Sequence, residues 1–77
     1  MPRLAPTDWR RLEKVFEADG WRFARQSGSH RSYTKAGYIR PVVIPTYDEV
    51  GVDIIAANLR TARMDRDRYF ELLASAS

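Results

Sequence analysis

The sequence predicts a two-layer α+β domain of order αβββα, with a three-stranded antiparallel sheet and a short extra helix at the C-terminal end. Three observations carry that expectation. Apolar residues recur at helical spacing in the first and last thirds; in the middle third they alternate or run together between glycine-containing turns; and 77 residues leave room for one modest core. A chain of this size buries only about 60% of the surface its unfolded form exposes, so a single domain over 1–77 is expected, with 1–6 a lead-in and 74–77 a loose tail.

The lead-in contains Pro2 and Pro6 and shows no periodicity. Thr7 suits a helix N-cap, Asp8 adds negative charge to the first turn, and Trp9, Leu12, Val15 and Phe16 form one apolar stripe that Gly20 ends. Arg10, Arg11, Lys14 and Glu17 make the opposite, solvated face. Trp21 to Arg25 alternates as a half-buried strand with Trp21 and Phe23 inward and Arg22 outward. After a Gly28-Ser29 turn, His30 to Lys35 makes the second strand. There His30, Ser32 and Thr34 share one face, and Arg31, Tyr33 and Lys35 the other. The face of His30 suits solvent and ligand, although Tyr33 between two cations would also serve as an exposed stacking platform.

Ala36-Gly37 gives the next turn, and Tyr38 to Ile44 the third strand, with Pro41 at an edge position or at the start of regular pairing and Pro45 as the stop. Asp48 or Gly51 can cap a second helix whose apolar residues are Val52, Ile55, Ala56 and Leu59, running to about Ala62. Asp65 can cap the last one, in which Tyr69, Phe70, Leu72 and Leu73 are the apolar residues. Both main helices are expected on one face of the sheet.

Thirteen Lys+Arg against ten Asp+Glu give a net charge of +3, unevenly spread. Between Trp21 and Ile44 stand Arg22, Arg25, His30, Arg31, Lys35 and Arg40 and no acid, which makes this segment the electrostatic face. The absence of cysteine excludes disulfides and thiolate metal sites, and one histidine is too few for a His-rich site, so no metal or other cofactor is expected. No apolar run reaches the length of a membrane span and no hydrophobic block opens the chain, so the expected place is the cytoplasm, with no membrane partner.

The stretch with chemistry in it is Arg25-Gln26-Ser27-Gly28-Ser29-His30-Arg31. It sets the only histidine at a strand entrance, anchored yet reachable, among cations that attract phosphate. With an unperturbed pKa of about 6.5, a histidine takes and gives a proton near neutrality, which suits phosphodiester chemistry. A turn histidine is more ordinarily a plain surface residue. If the nucleic acid is RNA, such chemistry asks for a base near the 2'-hydroxyl, positive charge at the phosphate and an acid for the leaving 5'-oxygen. His30 fits the first role; Arg25, Arg31 and Lys35 fit the second, or bind flanking phosphates. The acid is open between Tyr47, provided the end of the third strand folds beside His30, and His30 in a second role.

Gly20-Trp21, Arg25-Gln26-x-Gly28-Ser29-His30, Val43-Ile44-Pro45 and Leu59-Arg60, in this order, resemble the HicA-type toxins of bacterial and archaeal toxin-antitoxin systems over roughly Leu12 to Phe70. The resemblance implies a fold like a double-stranded-RNA-binding domain, metal-independent cleavage of mRNA and neutralisation by a HicB-like antitoxin. It implies that His30 is the catalytic histidine and that Gly28 and Ser29 form the turn positioning it. Many relatives carry a second histidine just after the proline that ends the third strand, where Pro45-Thr46-Tyr47 here offers a tyrosine. Any mechanism that needs two histidines is thereby put in question. Two other classes fit the same basic segment: an RNA-binding module without turnover, and a protein-interaction module for an acidic partner.

Overall fold

A computed structural model, which describes residues 2–76, contains α1 (Trp9–Ala18), β1 (Arg22–Ser27), β2 (His30–Thr34), β3 (Val42–Pro45), α2 (Val52–Ala62) and α3 (Arg66–Ser75). The strands form one antiparallel sheet in the order β1-β2-β3. Tyr33 stands opposite Val42, and Arg31 opposite Ile44, so Tyr33, Val42 and Ile44 share a face; all three are fully buried. Leu12, Val15 and Phe16 of α1 and Ile55, Leu59 and Ala62 of α2 belong to the same core. Both main helices therefore lie on one side of the sheet and leave its other side open, the expected two-layer αβββα arrangement with α3 added.

Helix α1 starts at Asp8, whose carboxylate accepts from the Arg10 N–H at 2.8 Å, a cap worth about 1 kcal/mol. Thr7, the expected cap, is instead drawn into a two-residue bridge with Val50, through Thr7 N–H to Val50 O at 3.1 Å and Val50 N–H to Thr7 O at 2.9 Å. The helix ends in a Schellman motif: Gly20 N–H donates to Glu17 O at 3.0 Å and Trp21 N–H to Phe16 O at 2.9 Å. Gly20 has φ +98°, a backbone conformation that favours glycine, and the atom a Cβ there would approach is the movable end of Lys35, Cε at 3.2 Å. The motif delivers Trp21 into the core beside Phe16 before the strand begins.

The strands depart from the expected boundaries. β1 runs Arg22–Ser27 rather than Trp21 to Arg25, and all its residues are exposed because it is an edge. Phe23, expected inward, is 46% exposed, since its ring reaches past the rim of the helical layer onto Tyr33 and Arg31. Tyr33 is buried and no exposed stacking platform. β3 starts only at Val42. The chain turns at Lys35–Tyr38 (Tyr38 N–H to Lys35 O, 3.1 Å), the Tyr38 ring folds edge-on against Trp21 at 5.0 Å, and Pro41 has no N–H to give to a ladder.

The face of α1 expected to be solvated is partly used. Arg11 donates from Nε to Ala76 O and from Nη2 to Leu73 O, both at 2.9 Å, capping the carbonyls at the end of α3. The segment expected to be loose is thus docked over 74–76, with Ala76 buried. Met1 and Ser77 lie outside the described residues. No helix among the described residues is long and apolar enough to cross a membrane.

Candidate functional site

The hairpin that carries His30 is fixed by its backbone. Ser27 pairs with His30 across the two-residue loop Gly28-Ser29, and Gly28 has φ +58°, the glycine conformation of the first loop position in a type II' turn. Thr46 N–H donates to Ser29 O at 2.7 Å, tying the loop to the end of β3. His30 itself pairs with Ser27 on one side and Pro45 on the other. An exposed imidazole is thus mounted on the central strand, held from both sides.

The face of each residue follows from register. Opposite Tyr33 and Ser32 on β2 stand Phe23 and Arg25, which leaves Ala24 as an extra, bulged residue on β1. In a regular strand Arg22 and Arg25, three apart, would project to opposite sides. With the bulge, Arg22 stands across from Thr34, Arg25 from Ser32 and Ser27 from His30, all on the open face. Arg25 therefore shares a face with His30, and so does Arg22, which sequence reasoning did not single out. Neither arginine has an ion-pair or hydrogen-bond partner among the described residues.

Arg31 and Lys35 are on the other face. Arg31 donates from Nη2 to Glu13 Oε2 at 2.8 Å, from Nε to Tyr33 Oη at 3.0 Å and from Nη1 to Gln26 Oε1 at 2.8 Å. Its guanidinium lies over the rings of Phe23 at 4.1 Å and Trp9 at 5.1 Å. The Tyr33 hydroxyl donates to the same Glu13 oxygen. Burial first, and then the bond to Glu13, push the Tyr33 phenol well above its ordinary value. The hydrogen bond with Tyr33, more than the one with Glu13, raises Arg31 further against the desolvation that lowers it. Gln26 closes the chain of contacts, donating from Nε2 to Gly28 O at 2.9 Å. Glu13, Arg31 and Gln26 thereby connect α1 to the loop before His30. Lys35 faces Asp19 at 3.5 Å and the Tyr38 ring at 5.2 Å. Glu13 carried no sequence signal, because its partners Arg31 and Tyr33 are eighteen and twenty positions away; Gln26 stood in the motif, but its link to Arg31 was not read from it.

Tyr47 comes two residues after Pro45, the partner of His30, so the end of β3 does fold beside the histidine. Its backbone is held by Tyr47 N–H to Pro45 O at 2.8 Å and Trp9 N–H to Tyr47 O at 3.2 Å, while its side chain is 48% exposed. A concavity of about 680 Å³ is elsewhere, between the Gly37–Arg40 loop and Arg60, Thr61 and Arg63 of α2 and its end. Its lining has no Asp, Glu or His, whereas the exposed hairpin carries the histidine. Among the described residues no group of three or more His, Cys, Asp or Glu side chains is gathered as a metal site.

Compared with known protein families, residues 9–64 match the model described as HicA toxin of bacterial toxin-antitoxin. That span holds α1, the whole sheet and α2, well over half of the chain. No curated protein matches.

Proposed function

The chain belongs to the HicA toxin family, and from that premise we propose that it is a metal-independent endoribonuclease that cleaves mRNA at His30 and is held in check by a HicB-like antitoxin. The observation that carries this reading is the mounting of His30: exposed, on the central strand, after a rigid two-residue turn, with unpartnered Arg25 on the same face. A base so fixed keeps its aim while the substrate arrives from solvent.

In the proposed reaction the His30 imidazole takes the proton of a ribose 2'-hydroxyl. The 2'-oxygen forms a bond to the adjacent phosphorus, and the bond from phosphorus to the 5'-oxygen breaks. The products are a 2',3'-cyclic phosphate and a 5'-hydroxyl. Arg25 balances charge growing on the phosphate oxygens. The 5'-oxygen must receive a proton, either from the imidazolium of His30 or from the Tyr47 hydroxyl. Gly28 and Ser29 set the histidine's position, the first through its backbone conformation and the second through its carbonyl bond to Thr46.

The test is turnover of a single-stranded RNA by the purified chain in the presence of a chelator, with analysis of the ends. Cyclic phosphate ends, and resistance of an RNA with 2'-methoxy sugars, are the expected results. Binding without turnover would assign the chain to the RNA-binding modules instead, and a requirement for a divalent ion would sink the metal-independent route.

A further inference from the structure

The row of cations on the open face runs in one direction only. From His30 the open-face rungs of β1 and β2 continue as Arg25 opposite Ser32 and Arg22 opposite Thr34. The row ends at a concavity of about 450 Å³ lined by Gly20, Arg22, Thr34, Lys35 and Ala36. Beyond His30 the other way the chain continues through Pro45 and Thr46 to the exposed acids Asp48, 3.9 Å from the Arg10 guanidinium, and Glu49. The unpartnered arginines of the sheet thus stand on one flank of the histidine, while on the other a cation is already shared with acids.

We infer that Arg25 and Arg22 form a one-sided phosphate track for a single RNA strand, which lies along the open face from His30 to the Gly20–Lys35 concavity. The inference rests on the reading of the chain as an RNA-cleaving protein and adds to it the form of the substrate. Successive open-face rungs are two residues apart, roughly 7 Å at the rise of a strand, comparable with the stride of one nucleotide of extended backbone. Guanidinium groups at that interval take consecutive phosphates by paired N–H donors, and both are free to do so because no carboxylate among the described residues holds them. Arg31 and Lys35 contribute less, since Glu13 and Asp19 already occupy them. One row on one edge strand follows one backbone, whereas a duplex presents two.

The track predicts where substrate length matters. Nucleotides added on the side of the scissile bond that faces Arg25 and Arg22 gain phosphate contacts; nucleotides added on the other side do not reach these arginines.

Affinity for a fluorescent single-stranded RNA, made cleavage-resistant by 2'-methoxy sugars, is measured against salt for the wild type, Arg22→Gln, Arg25→Gln, the double variant and Arg66→Gln as a control on α3. Each track variant should flatten the log-log slope by about 0.7, the double by about twice that, and the control not at all. Lengthening the RNA on one side should tighten binding, and lengthening it on the other should not. An unchanged slope in the double variant with wild-type RNA affinity retained, equal gains from both extensions, or equal affinity for the duplex would each overturn the track and leave the nuclease reading standing. Loss of antitoxin binding with RNA affinity intact would likewise overturn it, giving these arginines to the protein partner. If the wild type neither binds nor cleaves RNA, the nuclease reading fails and the track with it.

Discussion

His30 lies directly across the β2–β3 ladder from Pro45, on the face of the sheet that no helix covers. Its side chain adds nothing to the core, and its backbone position is kept by the ladder whatever the side chain. His30→Ala should therefore change stability by less than about 0.5 kcal/mol while lowering RNA cleavage by about 10² to 10⁴. Denaturant titration and single-turnover cleavage measure the two effects. An unfolded variant, or one that cleaves as fast as the wild type, would remove His30 from the mechanism.

Tyr47→Phe asks who protonates the 5'-oxygen. The ring is half exposed and its backbone bonds are unaffected, so the fold should survive. A loss in rate of about 10² or more assigns the proton to Tyr47; an unchanged rate leaves His30 as both base and acid. Substrates with a better leaving group than a 5'-hydroxyl should rescue the variant only in the first case.

Arg31 is committed to Glu13, with both side chains about one-fifth exposed. Arg31→Met should cost about 2 kcal/mol, because the Glu13 carboxylate and the Tyr33 hydroxyl lose a charged partner in a half-buried place. A double-mutant cycle with Glu13→Gln should show coupling of about 1 kcal/mol or more. If Arg31→Met instead weakens RNA binding and leaves the unfolding midpoint alone, the arginine serves phosphate and not the fold.

Alkaline pH should unfold the protein. Tyr33 and Tyr69 are both raised above the ordinary phenol value, chiefly by burial. The unfolded chain therefore loses these protons first, near pH 10, and holds fewer than the folded chain beyond that point. Stability is flat below about pH 10 and falls above it as pH climbs toward the folded-state values. Tyr33→Phe should reduce the slope of that fall. A melting temperature that does not drop between pH 9 and 11 would contradict the burial of both phenols.

The family is that of toxins of bacterial toxin-antitoxin systems, and a nuclease site as proposed, open to solvent, calls for cover. Coexpression with the protein of the adjacent reading frame should yield one copurifying complex in which RNA binding is lost. Separate elution at micromolar concentration would reject that partner.

The elements were legible where one physical rule acts alone. Leu12, Val15 and Phe16 follow the helical period because α1 presents one face to one core, and the Gly28-Ser29 turn is visible because a two-residue hairpin asks for glycine. The hairpin of the candidate site was legible for the same reason, since His30 and its turn are contiguous. The Ala24 bulge was not, as no Gly or Pro marks it, and the whole parity of β1 depends on it. Nor was the pairing of Arg31 with Glu13, eighteen positions apart, because composition shows how many charges there are and not which of them meet. The docking of α3 through Arg11 was hidden likewise: an arginine on a polar helix face looks solvated until another helix end arrives beside it.

Ala24 is in effect a spare codon. Because the flanking residues keep their partners, Phe23 with Tyr33 and Arg25 with Ser32, losing that one residue would join them into a regular ladder with every facing preserved. Loss of Phe23 or Arg25 would not be so forgiving. Lineages descended from a common ancestor can thus differ by one residue at this place, one reading Arg-Phe-Ala-Arg and another Arg-Phe-Arg, and still present the same two guanidinium groups to the same side.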